Sequence, residues 1–300
     1  MTIQGSSLEI FPNVVSVKGE DARKFLQSII SADVSKLGEK KSIYSLMLNP
    51  SGKTLFTMII YCLNKNEFLL ITEEDNEEDL VDSLSKFLIR TKAEIEDVSY
   101  DYQGLISYSV SSGLTMRESD HKIADQVFGD HGLKLILRKN LKSTSLPDAI
   151  VYNHLRISKG AVSLVKDLGV DSIAQEANLD VEAISFSKGC FLGQELVCRI
   201  DSRSASTPST FYALNSIGHK VSIDDSVVYC GDDPIGVVTS SFSVDENSGD
   251  FTHYFGPYNA IAKISRKGVS ILEAQGAGKV TVEKKYTVKQ IDKVNGHFSI

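Results

Sequence analysis

One short segment concentrates residue types that could do thiol chemistry. Residues 188–195 read Lys-Gly-Cys-Phe-Leu-Gly-Gln-Glu. Gly189 and Gly193 free the backbone on either side of the thiol, which allows a tight turn and the close approach of a ligand. If the run that follows is helical, Cys190 precedes a helix N-terminus, and both that terminus and Lys188 would stabilise a thiolate. The pattern therefore predicts a functional thiol at Cys190.

Two neighbouring side chains leave the electrostatics of this thiol open. Gln194 adds a neutral hydrogen-bonding group, whereas Glu195 would oppose thiolate formation if its carboxylate faced the sulfur. A second interpretation is that Cys190 is a small buried hydrophobe in a glycine turn. A disulfide to Cys198 is not expected from a helix, because eight helical residues span about 12 Å and the Cα atoms of a disulfide lie within about 7 Å of each other.

Hydrophobic periodicity predicts the elements that would hold this segment. Apolar residues spaced by three and four predict a helix after Gly19, and apolar runs predict strands at residues 53–63 and 67–72. Capping residues predict a short helix at residues 147–160. After a serine-rich linker at residues 202–210, short strands separated by turn signals predict an all-β module of about 90 residues, a small barrel. Further strands are predicted at residues 8–17, 93–97, 105–110, 133–137, 226–230, 235–241, 260–265 and 279–284.

An acidic run at residues 73–79 overlaps the start of a helix that is predicted at residues 76–88. Carboxylates are favourable at a helix N-terminus, because they face the positive end of the helix dipole. We therefore interpret the acidic run as the start of a helix and not as a metal site.

Composition bounds the class of protein. The 300 residues carry a net charge of −7, which disfavours nonspecific binding to nucleic acid. The start of the chain lacks the pattern of a secretory signal, and the most apolar stretch, residues 55–63, is far shorter than the roughly 20 residues of a membrane-spanning helix. The four cysteines form no C-x-x-C pair and the six histidines show no H-x-x-x-H spacing, so resident zinc and iron–sulfur ligand patterns are missing. We therefore expect a reducing, cytoplasm-like compartment, with no membrane and no strong nucleic-acid partner.

The segment around Cys190 also carries a family resemblance. It matches all seven defined positions of K-G-C-[FY]-x-G-Q-E, and the chain resembles the YgfZ family of folate-binding proteins, which are relatives of the glycine-cleavage T-protein. Residues 50–53 (Pro-Ser-Gly-Lys) resemble that family's P-x-G-K turn, and residues 236–240 (Gly-Val-Val-Thr-Ser) resemble the G-x-V-T-S of its barrel. The resemblance implies an α+β, T-protein-like folate-binding fold with a central funnel over residues 1–203 and a C-terminal β-barrel over residues 208–300.

The same resemblance implies a function. The chain would be a tetrahydrofolate-binding accessory protein that supports the assembly or repair of iron–sulfur clusters, including those of tRNA-modifying enzymes, in the cytoplasm. Its partners would be folate and iron–sulfur enzymes or assembly proteins. Cys190 and Lys188 would act as the catalytic residues, and Gln194 and Glu195 would contact folate.

Two residues outside this segment are further candidates for binding folate. Arg156 could pair with the glutamate tail, because a guanidinium group matches a carboxylate; a surface ion pair is the competing interpretation. Glu176 could accept hydrogen bonds from the amino and ring N–H groups of the pterin. The alternative for Glu176 is an exposed acid in a loop.

The sequence departs from the T-protein pattern at a catalytic position. T-proteins carry an acidic pair on the strand after a glycine turn, and one of its carboxylates helps to move a one-carbon unit to tetrahydrofolate. Alignment on the turn at Gly52 puts Phe56 and Thr57 there, and neither side chain can act as a carboxylate acid or base. Whether the chain is an enzyme therefore stays open. The sequence favours folate binding without aminomethyl transfer, with a T-protein-type aminomethyltransferase as the alternative.

Overall fold

The structure, a computed structural model, describes residues 7–72, 79–108, 120–124, 133–139, 149–169, 171–203, 206–216, 223–243 and 256–297. These residues form fifteen strands and six α-helices. The strands are β1 (Ser7–Ile10), β2 (Asn13–Lys18), β3 (Ser42–Leu48), β4 (Thr54–Asn64), β5 (Glu67–Thr72), β6 (Glu94–Asp97), β7 (Tyr102–Tyr108), β8 (His121–Ala124), β9 (Leu133–Lys139), β10 (Ser209–Ser216), β11 (Val227–Cys230), β12 (Asp233–Ser241), β13 (Ala260–Ser265), β14 (Val280–Val282) and β15 (Tyr286–Lys293). The helices are α1 (Ala22–Ile29), α2 (Leu80–Ser85), α3 (Ala149–Ser158), α4 (Asp180–Ala183), α5 (Gln194–Arg203) and α6 (Arg266–Gln275). Within the described ranges no helix combines the length and the apolar character that crossing a membrane requires.

By packing, the chain divides into two units that each take more than one segment. The sheet unit comprises Gln4–Asp148, Asp180–Cys198 and Ser299–Ile300. The barrel unit comprises Met1–Ile3, Ala149–Leu179 and Arg199–Phe298. Residues 149–179 thus pack with the barrel, although they precede the linker from which two domains were predicted. The division into domains at residues 203 and 208 stays a prediction.

A five-stranded antiparallel sheet in the order β3-β4-β5-β2-β6 forms one layer of the sheet unit. Helix α1 covers one face of this sheet through the stripe that its three- and four-residue spacing predicted. The buried residues of that stripe are Ala22, Phe25, Leu26 and Ile29. They pack with Phe56, Met58, Ile60, Phe68 and Leu70 of the sheet. Burial of this apolar surface holds α1 in place, at about 25 cal/mol per Å² removed from water.

A second antiparallel sheet, in the order β1-β7-β9-β8, packs on the opposite face of the first. His121 on β8 joins the two sheets, because its ring centroid lies 5.6 Å from that of Tyr61 and 6.1 Å from that of Tyr102. Burial lowers the pKa of His121 and so favours its neutral form. The sheet unit is therefore a helix and two sheets in layers.

The barrel unit contains a closed barrel of six strands in the order β10-β13-β12-β11-β14-β15. Strand β10 pairs with both β13 and β15, so the last strand closes the sheet and leaves no edge. Alternating buried residues on these strands fill the interior, as strand periodicity requires. The predicted barrel is confirmed.

A buried ion pair ties α3 to the barrel within the same unit. The guanidinium of Arg156 donates to Asp167 Oδ2 at 2.8 Å and to Ser240 Oγ at 2.8 Å. Asp167 in turn accepts hydrogen bonds from the backbone N–H of Ser163 and from the hydroxyl of Thr239. The side chains of the pair are 2% and 0% exposed, so each charge depends on the other for compensation.

Several local predictions need correction. Strands β3, β8, β10 and β15 and helix α6 were not predicted. Strand β3 mixes serine with apolar residues and α6 carries a glycine, so neither shows a clear period. The helix predicted at residues 76–88 is shorter, and Asp79 caps it by accepting from the N–H of Asp82 at 3.0 Å. The rest of the acidic run, residues 73–78, lies outside the described residues.

Replacing Arg156 by methionine should lower the free energy of unfolding by about 3–5 kcal/mol, because Asp167 is left as an uncompensated buried charge. Urea unfolding of the purified protein measures the loss. The matched control is Lys92→Met, which removes the exposed ion pair with Glu20 and should cost below about 1 kcal/mol. Equal losses in the two variants would contradict the buried-charge account.

Candidate functional site

The segment that carries Cys190 connects α4 to α5 and is tied to the end of α1. The hydroxyl of Ser31 donates to the carbonyl of Ala183 at 2.5 Å. The backbone N–H of Ser185 donates to the carbonyl of Ser31 at 3.0 Å. Further along, the N–H of Leu192 donates to the carbonyl of Ser28 at 3.2 Å. Residues far apart in sequence thus fix both ends of the thiol segment.

Lys188 is a third tie between these segments. Its ammonium donates to the carbonyl oxygens of Ile30 at 2.7 Å and Ala32 at 2.8 Å. It also lies 5.1 Å from the ring centroid of Phe191, a cation–π contact. Burial lowers its pKa to about 8, against the opposing attraction of Asp33. The hydrogen bonds of Lys188 therefore go to the backbone after α1, which makes it a positioning residue, and its predicted catalytic role stays a prediction.

Gly193 lies where two backbone segments meet. Its φ is +74°, and a Cβ there would stand 2.3 Å from the carbonyl oxygen of Asn49. Gly52 has a φ of +80°, and a Cβ at this residue would stand 2.5 Å from the Cβ of Leu196. The two turns that carried the family resemblance, residues 50–53 and 188–195, are thus in contact, and each needs glycine at the contact.

Gly189 has a different environment from Gly193. A Cβ on Gly189 would meet nothing within 4 Å. Glycine is therefore required by the packing at Gly193, whereas no contact requires it at Gly189. What Gly189 adds is open space beside the sulfur.

Cys190 is exposed and lies on an open pocket of about 480 Å³. The interpretation of Cys190 as a small buried hydrophobe is therefore wrong. Helix α1 supplies half of the lining residues through its polar face, at the one-turn spacing that places side chains together. The lining residues are Glu20, Arg23, Lys24, Gln27, Ser28, Ser35, Gly189 and Cys190. This polar face was not predicted as part of a site, although its residues recur at the same period as the apolar stripe of α1.

Gln194 begins α5 and closes the turn after the thiol. Its Oε1 accepts a hydrogen bond from the N–H of Phe191 at 3.2 Å. The amide oxygen of Gln194 therefore stabilises the loop. Glu195 is exposed on the first turn of α5, where a carboxylate is favourable. Contacts from either residue to folate stay predictions. In the part of the chain that the structure describes, no group of three or more histidine, cysteine or acidic residues could hold a metal ion.

Known proteins resemble this chain both in sequence and in fold. The family described as the GCVT N-terminal domain matches residues 12–106. A protein of Mycosarcoma maydis named "Iron-sulfur cluster assembly factor IBA57 homolog, mitochondrial" is 27% identical over 222 residues, which cover 66% of this chain and 55% of that protein. An aminomethyltransferase of Bacillus pumilus is 35% identical over 85 residues, or 28% of this chain and 23% of that protein.

The fold matches as well. The crystal structure of the glycine cleavage system aminomethyltransferase T from Bartonella henselae superimposes with a TM-score of 0.68 at 16% identity, over 98% of this chain and 85% of that one. The chain therefore has the T-protein fold. It spans just over half the length of the relative from M. maydis.

The two residues aligned with the T-protein acidic pair, Phe56 and Thr57, are both buried. Phe56 packs in the core beneath α1, and Thr57 is fully buried on β4. The carbonyl of Thr57 accepts from the hydroxyl of Thr72 at 2.8 Å, while its own hydroxyl has no hydrogen-bond partner among the described residues. Neither residue supplies an acid or base at this point of β4.

The two remaining folate candidates, Arg156 and Glu176, lie in the barrel unit and are engaged within it. Glu176 accepts from the N–H of Ile173 at 3.0 Å and from the hydroxyl of Ser209. Arg156 is held by Asp167, as described above. They are 1% and 4% exposed, so the competing interpretations, a surface ion pair and an exposed loop acid, are both wrong. Their folate contacts stay predictions, and any such contact would compete with these internal bonds.

Substitution of Gly193 by alanine should destabilise the sheet unit by about 2 kcal/mol or more, because alanine is strained at positive φ and its Cβ clashes with Asn49. Thermal unfolding measures the effect. Gly189→Ala is the control in the same motif and should cost below about 0.5 kcal/mol. A loss for Gly189→Ala as large as that for Gly193→Ala would refute the assignment.

Lys188 should give the protein a distinctive dependence on pH. The unfolded chain holds its proton up to a pKa of 10.5, while the folded chain releases it from about 8. Because the unfolded state binds more protons in that window, stability should rise with pH across it relative to Lys188→Met. Urea unfolding from pH 7.5 to 10.5 measures this difference, with Lys86→Met as a lysine control. A flat difference would show that the amine titrates normally.

Proposed function

We propose that this protein is a tetrahydrofolate-binding accessory protein of the YgfZ type that supports the assembly or repair of iron–sulfur clusters, with Cys190 as its functional thiol. The observation that carries the proposal is the exposed sulfur of Cys190 on an open pocket, at the end of a loop that Lys188 and Gly193 hold in place. A cysteine with a purely structural role does not require an exposed position on a pocket. A thiolate is also the usual protein ligand of iron–sulfur clusters.

The relatives favour a role in iron–sulfur metabolism. The M. maydis protein, which carries that function in its name, aligns over 66% of this chain. The cluster would be the cargo of such a protein. A single thiol can contribute one ligand to a cluster that a partner also holds, which suits transfer better than storage. The partners would be iron–sulfur enzymes or assembly proteins, those that modify tRNA among them, in a reducing cytoplasm-like compartment.

Folate binding is proposed on the T-protein fold. The absence of a carboxylate at Phe56 and Thr57 favours binding of tetrahydrofolate without aminomethyl transfer, since the transfer needs a group that can handle a proton or a developing cation. Folate would then act as a bound ligand of the accessory protein. Aminomethyl transfer is the second candidate, and the similarity of 85 residues to an aminomethyltransferase favours it.

Replacement of Cys190 by alanine should abolish function in cells without affecting the fold. The readout is the activity of iron–sulfur enzymes in cells that lack the endogenous protein and carry the variant. Cys198→Ala is the matched control, because Cys198 lies half-buried on α5 nearby in sequence. Full activity of Cys190→Ala would remove the thiol from the mechanism.

Folate binding can be measured separately by calorimetry on the reduced protein. We expect a dissociation constant in the micromolar range or tighter, and no turnover when an aminomethyl donor is added. Turnover would favour the aminomethyltransferase instead. No heat of binding would favour an interaction module that does not use folate.

A further inference from the structure

The pocket beside Cys190 is biased towards anionic ligands. Two cations line it, Arg23 and Lys24, against one carboxylate, Glu20. That carboxylate is already paired with Lys92 at 2.9 Å.

Behind the wall, the carboxylate of Asp33 accepts from Gln27 and Ser35 and is attracted by Lys188. These two charges offset each other, so the balance of the lining stays positive, although the chain as a whole has a net charge of −7. A negatively charged ligand gains from this local excess, and the gain falls with salt.

One of the two cations is fixed in advance. The guanidinium of Arg23 donates to the carbonyl oxygens of Val34 at 2.5 Å and Leu37 at 2.9 Å, and lies 4.9 Å from the ring centroid of Phe68. The guanidinium also donates to Cys62 Sγ at 3.4 Å. Because these contacts engage its N–H groups, Arg23 acts on the pocket as a fixed positive charge. Lys24 is exposed on the next position of α1 and is free to follow the ligand.

The remaining wall leaves room for a small molecule beside the sulfur. Gln27, Ser28 and Ser35 line it with side chains that already donate to Asp33 or to the carbonyl of Phe25, and Gly189 leaves open space next to the sulfur. The volume of about 480 Å³ falls in the range of small-molecule pockets. It is too small for a folded partner and large enough for a tripeptide.

We propose that this pocket binds a low-molecular-weight thiol that carries carboxylates, of the glutathione class, and that Cys190 forms a reversible mixed disulfide with it. The Cys190 thiolate attacks one sulfur of the oxidised ligand, the ligand's S–S bond breaks, and a new S–S bond joins Cys190 to one half. The other half leaves as a thiolate and takes up the proton that Cys190 lost. The oxidant is the ligand disulfide, and one equivalent of ligand thiol is released.

The other cysteines are poorly placed to remove such a cap. Cys62 and Cys230 are buried, Cys198 is half-buried, and all four cysteines of the chain lie in described residues with free thiols. The cap would therefore last until an external thiol removes it. The inference takes from the proposed function that Cys190 is the working thiol, and it adds the regulation: a capped sulfur cannot bind a cluster.

The test compares three small disulfides on the reduced full-length protein: oxidised glutathione, which is anionic, 2-hydroxyethyl disulfide, which is neutral, and cystamine, which is cationic. Intact mass gives the rate of mixed-disulfide formation, and peptide mapping confirms Cys190 as its site. Each rate is taken as the ratio of variant to wild type, so that differences in leaving group cancel. Lys24→Glu should slow glutathione disulfide by about fivefold, leave the neutral reagent unchanged and speed cystamine.

The control variant is Lys86→Glu, an equal charge change at an exposed lysine that does not line the pocket, and it should leave all three rates unchanged. The preference for the anionic reagent should also weaken as salt is raised from 20 to 300 mM, a range over which Debye screening becomes strong. Rate ratios that are the same for all three reagents in Lys24→Glu would overturn the inference, as would modification at another cysteine. Because the assay measures only exchange, its failure would leave the cellular result for Cys190→Ala intact, and the converse also holds.

Discussion

The close approach of two backbones at Gly193 and Asn49 is the constraint on which the site depends. A side chain of any size at residue 193 would collide with that carbonyl, as the 2.3 Å separation shows. The turn after β3 and the turn before α5 can therefore pack only as a pair. In this arrangement Cys190 is exposed, and α1 contributes residues to the wall of the pocket beside it.

The ties around the thiol segment combine a rigid loop with an accessible sulfur. Hydrogen bonds from Ser31, Ser185 and Leu192 and the ammonium of Lys188 all join the loop to the end of α1. They satisfy backbone groups that would otherwise be buried without partners. The loop can thus be well ordered while Cys190 stays exposed. That division of labour explains why a lysine with a perturbed pKa sits two residues from the thiol and is directed at carbonyl oxygens.

Much of the fold could be predicted because the apolar residues of single segments recur with the period of a helix or a strand. The apolar stripe of α1, the long strand β4 and the barrel strands β11 to β14 each follow a period that one segment can show. Strands β10 and β15, whose pairing closes the barrel, were not predicted. Long-range pairings could not be read in this way. The role of Lys188 depends on two carbonyls about 150 residues away, and the pocket wall depends on α1 lying against the thiol loop. A lysine close to a cysteine in the sequence suggests activation of the thiol. The sequence does not show that the ammonium of Lys188 donates to the carbonyl oxygens of Ile30 and Ala32. Arg156 and Glu176 show the same limit, because a polar residue in a sequence gives no measure of its burial.

The path of the chain through the two units has a consequence for how the protein is made. Residues 149–179 enter the barrel unit, residues 180–198 return to the sheet unit, and the barrel closes only when β15 pairs with β10. On the ribosome, the first layer of strands can therefore form early, but it lacks its thiol segment until residue 198 has emerged. The early barrel segment must then wait for about a further hundred residues of synthesis, which take several seconds at translation speed. During that interval unpaired strand edges and the apolar interior stay exposed, so the nascent chain is a natural client for chaperones that bind extended apolar segments.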